Sequence, residues 1–573
     1  MILLLLLLVG LSNAETHCGV LGPAFPQPTN LSASKSWNER LSNFTKYIDN
    51  TLSLGHLNNQ TDSFSLNVFS MHDDNNVIYD YHYEAPGLNG SLGPGKELNG
   101  DTIYRIGSIS KLVSVYLFLI EAGFDALNER VIDHVPEIAA AVKSADSNNV
   151  AVPQWKDITI GALANVLTDF STDALLRGTP GLPKVNGSQI PSCGLRGAQK
   201  PCNREQYFDL VLKRHPSNAP YSSPIYNNMN FDILMAALEN MNDNATFEDM
   251  LSRSIAKPLN LTHFGIKKPD DSAGIIPGDA KSSYWNTSLG FGTANGGVYS
   301  SANDMAALGK AILGSKLLSP AVTRRWLKPT TNTADPNQSV GSPWEIYRLT
   351  EPRTIELFTK AGHLGLYDSS LILIPDYGVG FTILAAGEGT LDQGPWLSDL
   401  ITGFLVPALE EEARQDALSK FAGKYVSASS NSTFVVSKKS DGKGGLLVDQ
   451  WINNGVSVLD TTIVKPFASD LSKVGIRIYP TKLTASCSSD GGNKTCDKTS
   501  YASFRAIFDL PKPEVLPPPA LSVFTAPCEK WSTVDGIPYG NIGLDDLVFH
   551  IDEKGVATAL EVRAWRETLK RVV

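Results

Sequence analysis

An almost wholly apolar run, Leu112–Ile120, constrains the fold more than any other segment of the sequence. The run ends at Glu121 and Gly123, so it is too short to span a membrane and predicts a helix buried in a protein core. A short polar segment that contains Ser108 and Lys111 stands directly before it. The sequence thus places a serine and a lysine at the start of a core helix.

Strand patterns lie on both sides of the helical middle of the chain. Residues 64–83 predict two strands around an Asp/Asn turn, and residues 369–387 predict two buried strands around a Pro-Asp-Tyr-Gly turn. Between them, helical spacing begins near Asn230 and near Ser300, each time after residues that favour a helix start. This order predicts an α+β domain in which helices pack on an antiparallel sheet.

The pattern changes after a charged helical linker that ends near Phe421. From there, short alternating segments separated by turns continue toward the C-terminus and predict an all-β domain, a small barrel or sandwich. We therefore divide the chain into a signal segment at residues 1–14, a larger domain at residues 15–410 and an all-β domain at residues 415–573. The all-β domain contains no catalytic constellation.

Residues 1–14 have the character of a secretory signal peptide, because a leucine-rich stretch is followed by small residues suited to cleavage. We expect a secreted protein, extracellular or in the lumen of the secretory pathway, with no membrane association after signal removal. Six cysteines fit such an oxidising compartment. Proximity favours the pairs Cys193–Cys202 and Cys487–Cys496, with Cys18 and Cys528 left over, but six cysteines allow 15 connectivities, and free buried thiols are the alternative.

The density of Asn-x-Ser/Thr sequons also favours a glycosylated secretory protein. The eleven candidate acceptors are Asn30, Asn43, Asn59, Asn89, Asn186, Asn244, Asn260, Asn286, Asn337, Asn431 and Asn493.

Charge and motif content exclude several classes of function. The formal net charge of −10, without a basic cluster, disfavours nucleic acid and anionic membranes as partners. The sequence has neither the G-x-S-x-G of α/β-hydrolases nor H-E-x-x-H, and its nine histidines show no zinc spacing. We expect no cofactor and no metal, and a small-molecule substrate as the partner. The oligomeric state is left unknown, because no segment indicates it.

Ser108 and Lys111 form S-x-x-K, the spacing of one class of serine acyl-transfer sites. The pattern also begins at Ser32, Ser254 and Ser440, but only Ser108 follows strand-like sequence and precedes a long apolar helix. A helix start stabilises negative charge, and a lysine three residues on can reach the serine hydroxyl. As a base, Lys111 needs its pKa lowered from about 10.4 toward 7 by burial. The alternative is a simple N-cap serine followed by an exposed lysine.

Two further motifs follow in order along the chain. Tyr226 and Asn228 form Y-x-N just before helical sequence, where a phenol can relay a proton and an amide can hold a lysine and a substrate carbonyl. His363 begins H-x-G at a predicted strand edge. Because Tyr539 and His263 begin the same patterns elsewhere, the ordered series of three motifs is what makes the prediction specific.

At these motifs the chain resembles the serine β-lactamase and penicillin-binding-protein family, nearest to its class C β-lactamase, esterase and transesterase branches. The resemblance covers about residues 60–405 and includes the stretches "IYRIGSISK", "YSSPIYNNMNFDIL" and "ANGGVYSSANDMAALGKAIL". It implies the β-lactamase/transpeptidase-like α+β fold. The C-terminal all-β domain looks like the lipocalin-like appendage found on some fungal members.

The resemblance implies a role for each motif residue. Ser108 would be the acylated nucleophile, and Lys111 and Tyr226 would share the general-base and general-acid work. Asn228 would position the lysine and the substrate.

The H-x-G motif would take the position of K-T-G in true β-lactamases, and the N–H groups of Ser108 and Leu366 would form the oxyanion hole. Because His363 is mostly neutral at pH 7, this replacement implies neutral esters rather than penicillin-like anions as substrates. The alternative is a packed residue at a strand edge. Val166 and Asp169 stand where the family pattern has a histidine and a glycine, so we expect a different local turn.

Together these inferences predict a secreted serine hydrolase, an esterase or amidase that acts through an acyl-enzyme at Ser108. An acyltransferase or transesterase of secondary metabolism is one alternative, since it shares acylation and differs only in the acceptor. A catalytically inactive secreted binding protein with this fold is the other.

Overall fold

The computed structural model describes residues 19–88, 92, 97–144, 150–168, 181, 183, 193, 200–461, 464–465, 470–486, 499–510 and 530–572. These residues form two compact units. The larger unit comprises the described parts of Thr29–Arg348 and Glu356–Ala408, and the smaller comprises those of Met1–Pro28, Leu349–Ile355 and Leu409–Val573. Several sequence predictions lie outside the described residues: the signal peptide, Cys18, Cys487, Cys496, Cys528, Asp169, Asn89, Asn186 and Asn493.

The helices of the described residues are α1 (Lys35–Ser53), α2 (Ile109–Glu121), α3 (Val131–His134), α4 (Pro136–Ser144), α5 (Ile160–Ala164), α6 (Arg204–Val211), α7 (Met229–Met241), α8 (Phe247–Leu251), α9 (Lys257–Leu259), α10 (Thr293–Gly296), α11 (Ala302–Leu313), α12 (Pro320–Trp326) and α13 (Thr390–Phe421). The strands up to α13 are β1 (Ser63–Ser70), β2 (Tyr79–Tyr83), β3 (Ile103–Arg105), β4 (Tyr299–Ser301), β5 (Thr331–Asn332), β6 (Gln338–Val340), β7 (Glu345–Leu349), β8 (Ile355–Leu364), β9 (Tyr367–Ile374) and β10 (Val379–Ala386).

An antiparallel sheet is the centre of the larger unit, with the strand order β2-β1-β10-β9-β8-β7-β6-β5. The two predicted strand pairs are confirmed as β1 with β2 and β9 with β10. Every residue of β1, β9 and β10 is buried, and α11 packs against β1 and β10. The predicted α+β architecture is therefore confirmed.

The predicted core helix is α2, and it is buried along almost its whole length. Its residues from Ile109 to Leu119 are all buried, and α7 and α10 pack against it. The short strand β3 leads into its first turn, so Ser108 lies between a strand and the N-terminus of a core helix. This placement surrounds the start of α2 with protein rather than with solvent.

The smaller unit contains β11 (Gly423–Ser427), β12 (Ser432–Val436), β13 (Leu446–Asn453), β14 (Val456–Ser457), β15 (Gly475–Ser486), β16 (Ser500–Asp509), β17 (Pro538–Tyr539), β18 (Ile542–Gly543), β19 (Asp546–Ile551), β20 (Ala557–Val562) and β21 (Glu567–Val572). Among the described residues, nine of these strands form an antiparallel sheet that closes on itself, because β12 pairs with both β11 and β13. Phe421, Phe504 and Phe549 are buried in this unit, and their rings contact one another. The predicted all-β domain is confirmed as a closed barrel.

Two further predictions concern single features of the chain. Cys193 and Cys202 form the disulfide expected from their proximity. Within the described ranges, the structure contains no helix with the length and apolarity needed to cross a membrane.

Candidate active site

The Ser108 hydroxyl is the meeting point of two acid–base side chains. Ser108 occupies the N-cap position of α2, but its side chain makes no capping hydrogen bond. Instead, its Oγ accepts hydrogen bonds from Lys111 Nζ and from the Tyr226 hydroxyl, each at 2.8 Å. The interpretation of Ser108 as a simple side-chain cap is therefore wrong, and the arrangement is one that can activate a serine.

Lys111 is completely buried, so the alternative of an exposed first-turn lysine is also wrong. Its ammonium donates a second hydrogen bond to the backbone carbonyl of Asn295 at 2.7 Å. Burial lowers the pKa of Lys111, and the nearby charge of Lys360 lowers it further, against the opposing influence of Tyr226. A buried lysine with a lowered pKa can serve as a base near neutral pH.

Tyr226 lies in the segment that precedes α7; the residue is 45% exposed, and its hydroxyl reaches Ser108. Burial of the hydroxyl raises the pKa of Tyr226, but the positive charges of Lys111 and Lys360 outweigh this effect and hold the pKa below its usual range. A neighbouring turn supports the segment, because Ile225 N–H donates to the carbonyl of Val166 at 2.8 Å. Val166 has a left-handed backbone (φ 53°), which is uncommon for a β-branched residue.

The strand β8 lies directly against the backbone around Ser108. Gly107, with φ 47°, has no room for a side chain, since a Cβ there would lie 2.7 Å from the backbone nitrogen of His363. A Cβ on Gly362 would lie 2.1 Å from the carbonyl oxygen of Ile106 and 2.7 Å from the nitrogen of Ser108. The two glycines therefore bring β8 and the start of α2 into backbone contact.

The remaining predicted residues lie near this contact. Asn228 is partly buried at the N-terminus of α7, two residues beyond Tyr226. His363 is paired with Asp368 across β8 and β9, and 3.9 Å separate His363 Nδ1 from Asp368 Oδ1. Burial raises the pKa of Asp368 to about 7. Leu366 lies in the turn that joins β8 to β9, and its N–H donates to the carbonyl of Ser283 at 3.5 Å.

The prediction that Leu366 supplies an oxyanion donor conflicts with this geometry. Its N–H is directed to Ser283, beyond the end of β8, whereas the part of β8 that touches Ser108 is Gly362 and His363. The physical reason is the position of the glycine that approaches Ser108. The predicted motif ends at Gly365, but the glycine of β8 in close contact with Ser108 is Gly362, three residues earlier.

Lys360 was not predicted from the sequence, although Lys360-Ala361-Gly362 is a K-x-G triplet that directly precedes His363. Lys360 is 2% exposed, and its Nζ lies 5.4 Å from the ring centroid of Tyr226. Burial lowers the pKa of Lys360, but the carboxylate of Glu345 outweighs burial and raises it overall. The site therefore contains a second buried lysine, which is held in its charged form.

A buried acidic network behind Lys111 was also missed. Asp232 is 1% exposed and accepts hydrogen bonds through Oδ2 from Asn295 Nδ2 at 2.8 Å and from the Tyr207 hydroxyl at 2.6 Å. The backbone carbonyl of Asn295 accepts the hydrogen bond from Lys111. The Asp232 carboxylate therefore holds in place the residue that positions Lys111. In sequence, Asp232 is an acidic residue inside a predicted core helix, which is the signal that could have identified it.

We expect Asp232→Asn to slow acylation about 10- to 100-fold, because a displaced Asn295 would move Lys111 away from Ser108. The charge of Asp232 also raises the pKa of Lys111, so its removal should shift the rise of kcat/KM with pH toward lower pH. Stopped-flow assays of acylation across a pH series measure both effects.

Asp304→Asn provides the matched control for this prediction. Asp304 is 7% exposed and accepts the backbone N–H of His263 at 2.6 Å. Its replacement removes a similarly buried charge, but one that is not bonded to the Lys111 network. Equal rates and equal pH profiles for the two variants would contradict a positioning role for Asp232.

The donor set of the site fits proton transfer and acyl chemistry. Over the part of the chain that the structure describes, no group of three or more His, Cys, Asp or Glu side chains could hold a metal ion. The site instead brings together a serine hydroxyl, two lysines and a phenol. These groups can activate an oxygen nucleophile and stabilise the negative charge that develops when it attacks a carbonyl.

Comparison with known proteins gives two family matches. Residues 62–401 match the family model described as Beta-lactamase, which covers more than half of the 573 residues. Residues 413–573 match the model described as "Beta-lactamase-like-like, C-terminal domain".

Among curated relatives, a "Beta-lactamase-like protein" of Arthroderma benhamiae is 28% identical over 96% of this chain and 95% of its own length. "Probable hydrolase clz13" of Cochliobolus lunatus is 24% identical over 97% of this chain and 93% of its own length. Among solved structures, a class C beta lactamase from Rhodobacter sphaeroides aligns over 62% of this chain and 98% of its own, with 16% identity and a TM-score of 0.45.

Proposed function

The chain belongs to the beta-lactamase family of hydrolases, and on that basis we propose that it is a secreted serine hydrolase that cleaves small esters or amides through an acyl-enzyme on Ser108. The observation that carries the proposal is the pair of 2.8 Å contacts from Lys111 Nζ and the Tyr226 hydroxyl to Ser108 Oγ. A fold retained only for binding would not require two titratable groups with lowered pKa values on one hydroxyl.

Acylation begins with proton removal from Ser108. In the active protonation state, the pair of Lys111 and Tyr226 carries one proton fewer than when both groups are fully protonated. One of the two groups can therefore accept the serine proton while the other still donates to Oγ. The serine oxygen attacks the substrate carbonyl and forms a tetrahedral intermediate. When this intermediate collapses, the proton passes to the leaving alcohol or amine, and the acyl group remains on Ser108. Water then repeats the sequence and releases the acid.

We assign the stabilisation of the oxyanion to two backbone N–H groups. The first belongs to Ser108 at the N-terminus of α2, where the helix dipole also favours negative charge. For the second we choose His363 in place of Leu366. Leu364 and Tyr367 flank a two-residue turn that begins with Gly365 at φ 63°. Along an antiparallel pair, residues alternately direct their N–H toward and away from the partner strand, so the His363 N–H points away from β9. Asn228 keeps its proposed role of positioning lysine and substrate.

The distribution of sequons supports the proposal that the protein is secreted and glycosylated. Of the eight acceptor asparagines that the structure describes, seven are exposed: Asn30, Asn43, Asn244, Asn260, Asn286, Asn337 and Asn431. Asn59 is half-buried and donates its amide to the carbonyl of Leu52 at 2.7 Å. The disulfide between Cys193 and Cys202 is compatible with an oxidising compartment.

A serine-reactive fluorophosphonate tests the proposed function directly. We expect covalent labelling of Ser108, because it is the serine held by both Lys111 and Tyr226, and peptide mass mapping locates the adduct. Ser254, which begins another S-x-x-K, is the internal control. Its hydroxyl donates to the carboxylate of Glu121 and not to a lysine.

Ser108→Ala should abolish labelling and ester hydrolysis while leaving the melting temperature close to that of the wild type. A folded wild-type protein that takes up no label would favour the non-catalytic binding protein. An adduct confined to Ser254 would remove Ser108 from the mechanism.

A further inference from the structure

The positive charge of Lys360 is compensated within the protein. Its Nζ donates to Glu345 Oε1 at 2.5 Å and to the carbonyl of Ala361 at 2.7 Å, while the ring of Tyr226 lies on another side. The second carboxylate oxygen of Glu345 accepts the N–H of Ala361 at 3.0 Å. The lysine side chain is 2% exposed and that of Glu345 is 24% exposed, so the pair is largely withdrawn from water.

From this arrangement we infer that Glu345 is a specificity-determining residue, which neutralises Lys360 and restricts the site to substrates without a carboxylate. The inference rests on the proposed function, since it concerns the substrates of the Ser108 acyl-enzyme. A substrate carboxylate that approaches Lys360 meets the negative charge of Glu345 at the same place. It would have to displace Glu345 from a desolvated hydrogen bond. The free energy lost in breaking this bond exceeds the free energy gained from the new contact with Lys360.

The aromatic rings around the Lys360–Glu345 pair also favour the binding of neutral substrates. Tyr226 and Tyr347 are each 45% exposed, and both rings lie within the electrostatic influence of Lys360. Tyr347 is two residues beyond Glu345 on β7, so the two side chains share one face of the strand. Apolar ring surface beside a neutralised ion pair suits an uncharged alkyl or aromatic group.

Matched esters that differ in charge test this inference. We compare kcat/KM for p-nitrophenyl butyrate, which is neutral, with mono-p-nitrophenyl succinate, which carries a carboxylate on the acyl chain. Nitrocefin adds a carboxylate on the leaving-group side. In the wild type we expect the neutral ester to be preferred by at least about tenfold, and in Glu345→Gln the ratio of anionic to neutral kcat/KM should rise by roughly tenfold or more. The ratio is measured across a pH series, because replacing Glu345 removes the charge that raises the pKa of Lys360.

Glu356→Gln is the matched control, because it removes a carboxylate from the same two strands. Glu356 lies on β8 and pairs with Arg348 of β7 at 3.0 Å, and its side chain is 10% exposed. The change in net charge is the same, but Lys360 keeps its partner. We expect the anionic-to-neutral ratio of this variant to stay within about twofold of the wild type, since Glu356 pairs with Arg348 and not with Lys360.

The outcomes separate this inference from the proposed function. An unchanged ratio in Glu345→Gln, with Ser108 still labelled by the fluorophosphonate, would overturn the role of Glu345 and leave the serine hydrolase in place. Loss of labelling in the wild type would instead remove the proposed function. If Glu345→Gln fails to fold, the wild type still decides, because equal kcat/KM for the butyrate and the succinate esters is incompatible with a neutralised Lys360.

Discussion

Lys111→Ala is expected to lower the rate of Ser108 acylation by about 10²- to 10⁴-fold, the usual effect of removing a general acid or base. The substitution removes the ammonium that lies 2.8 Å from Ser108 Oγ and 2.7 Å from the carbonyl of Asn295. In the wild type, kcat/KM should increase as pH rises through the pKa of this base, since the unprotonated form is the active one. Burial lowers that pKa, so the increase should be centred below the value of about 10.4 usual for lysine.

Two further variants make the result for Lys111 interpretable. Lys111→Met keeps most of the side-chain volume in a completely buried position, so an equal loss of acylation separates lost chemistry from a cavity. Lys257→Ala changes the exposed lysine of the S-x-x-K that begins at Ser254, and its acylation rate should match that of the wild type. Acylation by Lys111→Met at more than a tenth of the wild-type rate would show that another group acts as the base.

The local part of the site could be predicted from the sequence. The spacing of three residues on a helix places Lys111 beside Ser108, and the apolar run that follows predicts the burial that lowers the pKa of the lysine. The strand pairs β1/β2 and β9/β10, the core helix and the all-β C-terminal region follow in the same way from periodicity. These features depend on interactions between residues close in sequence.

The long-range part could not be obtained in this way. Which residue of β8 touches Ser108 depends on the pairing of β8 with β9 and on the space left by Gly107 and Gly362, and a shift along the strand changes which side chains face the site. The sequence therefore directed attention to His363, while the structure places Lys360 beside Tyr226.

Glu345 and Asp232 were missed for a related reason. Each acts on a lysine that is distant in sequence: Glu345 through strand pairing in the sheet, and Asp232 through the amide of Asn295. Neither residue belongs to a short motif, so only the folded chain identifies its partner.

Tyr226→Phe should also reduce acylation about 10²- to 10⁴-fold, because it removes the hydroxyl that contacts Ser108 Oγ at 2.8 Å. The ring is retained, so the contacts of Lys111 and Lys360 with its face, at 5.2 and 5.4 Å from the centroid, stay in place. The variant therefore isolates the phenolic proton from the packing of the site. Single-turnover release of p-nitrophenol from p-nitrophenyl butyrate measures the loss.

Tyr221→Phe is the control for Tyr226→Phe, because it removes a phenol from the same segment at a similar exposure of 49%. The Tyr221 hydroxyl contacts Thr159 rather than Ser108, so the acylation rate of Tyr221→Phe should stay within about threefold of the wild type, as for most surface substitutions.

The pH dependence of the residual activity of Tyr226→Phe gives a second test. Tyr226 raises the pKa of Lys111, so in its absence burial should lower that pKa further, and acylation by Lys111 alone should rise at a lower pH than in the wild type. A wild-type rate and an unshifted pH profile in Tyr226→Phe would exclude the phenol from proton transfer.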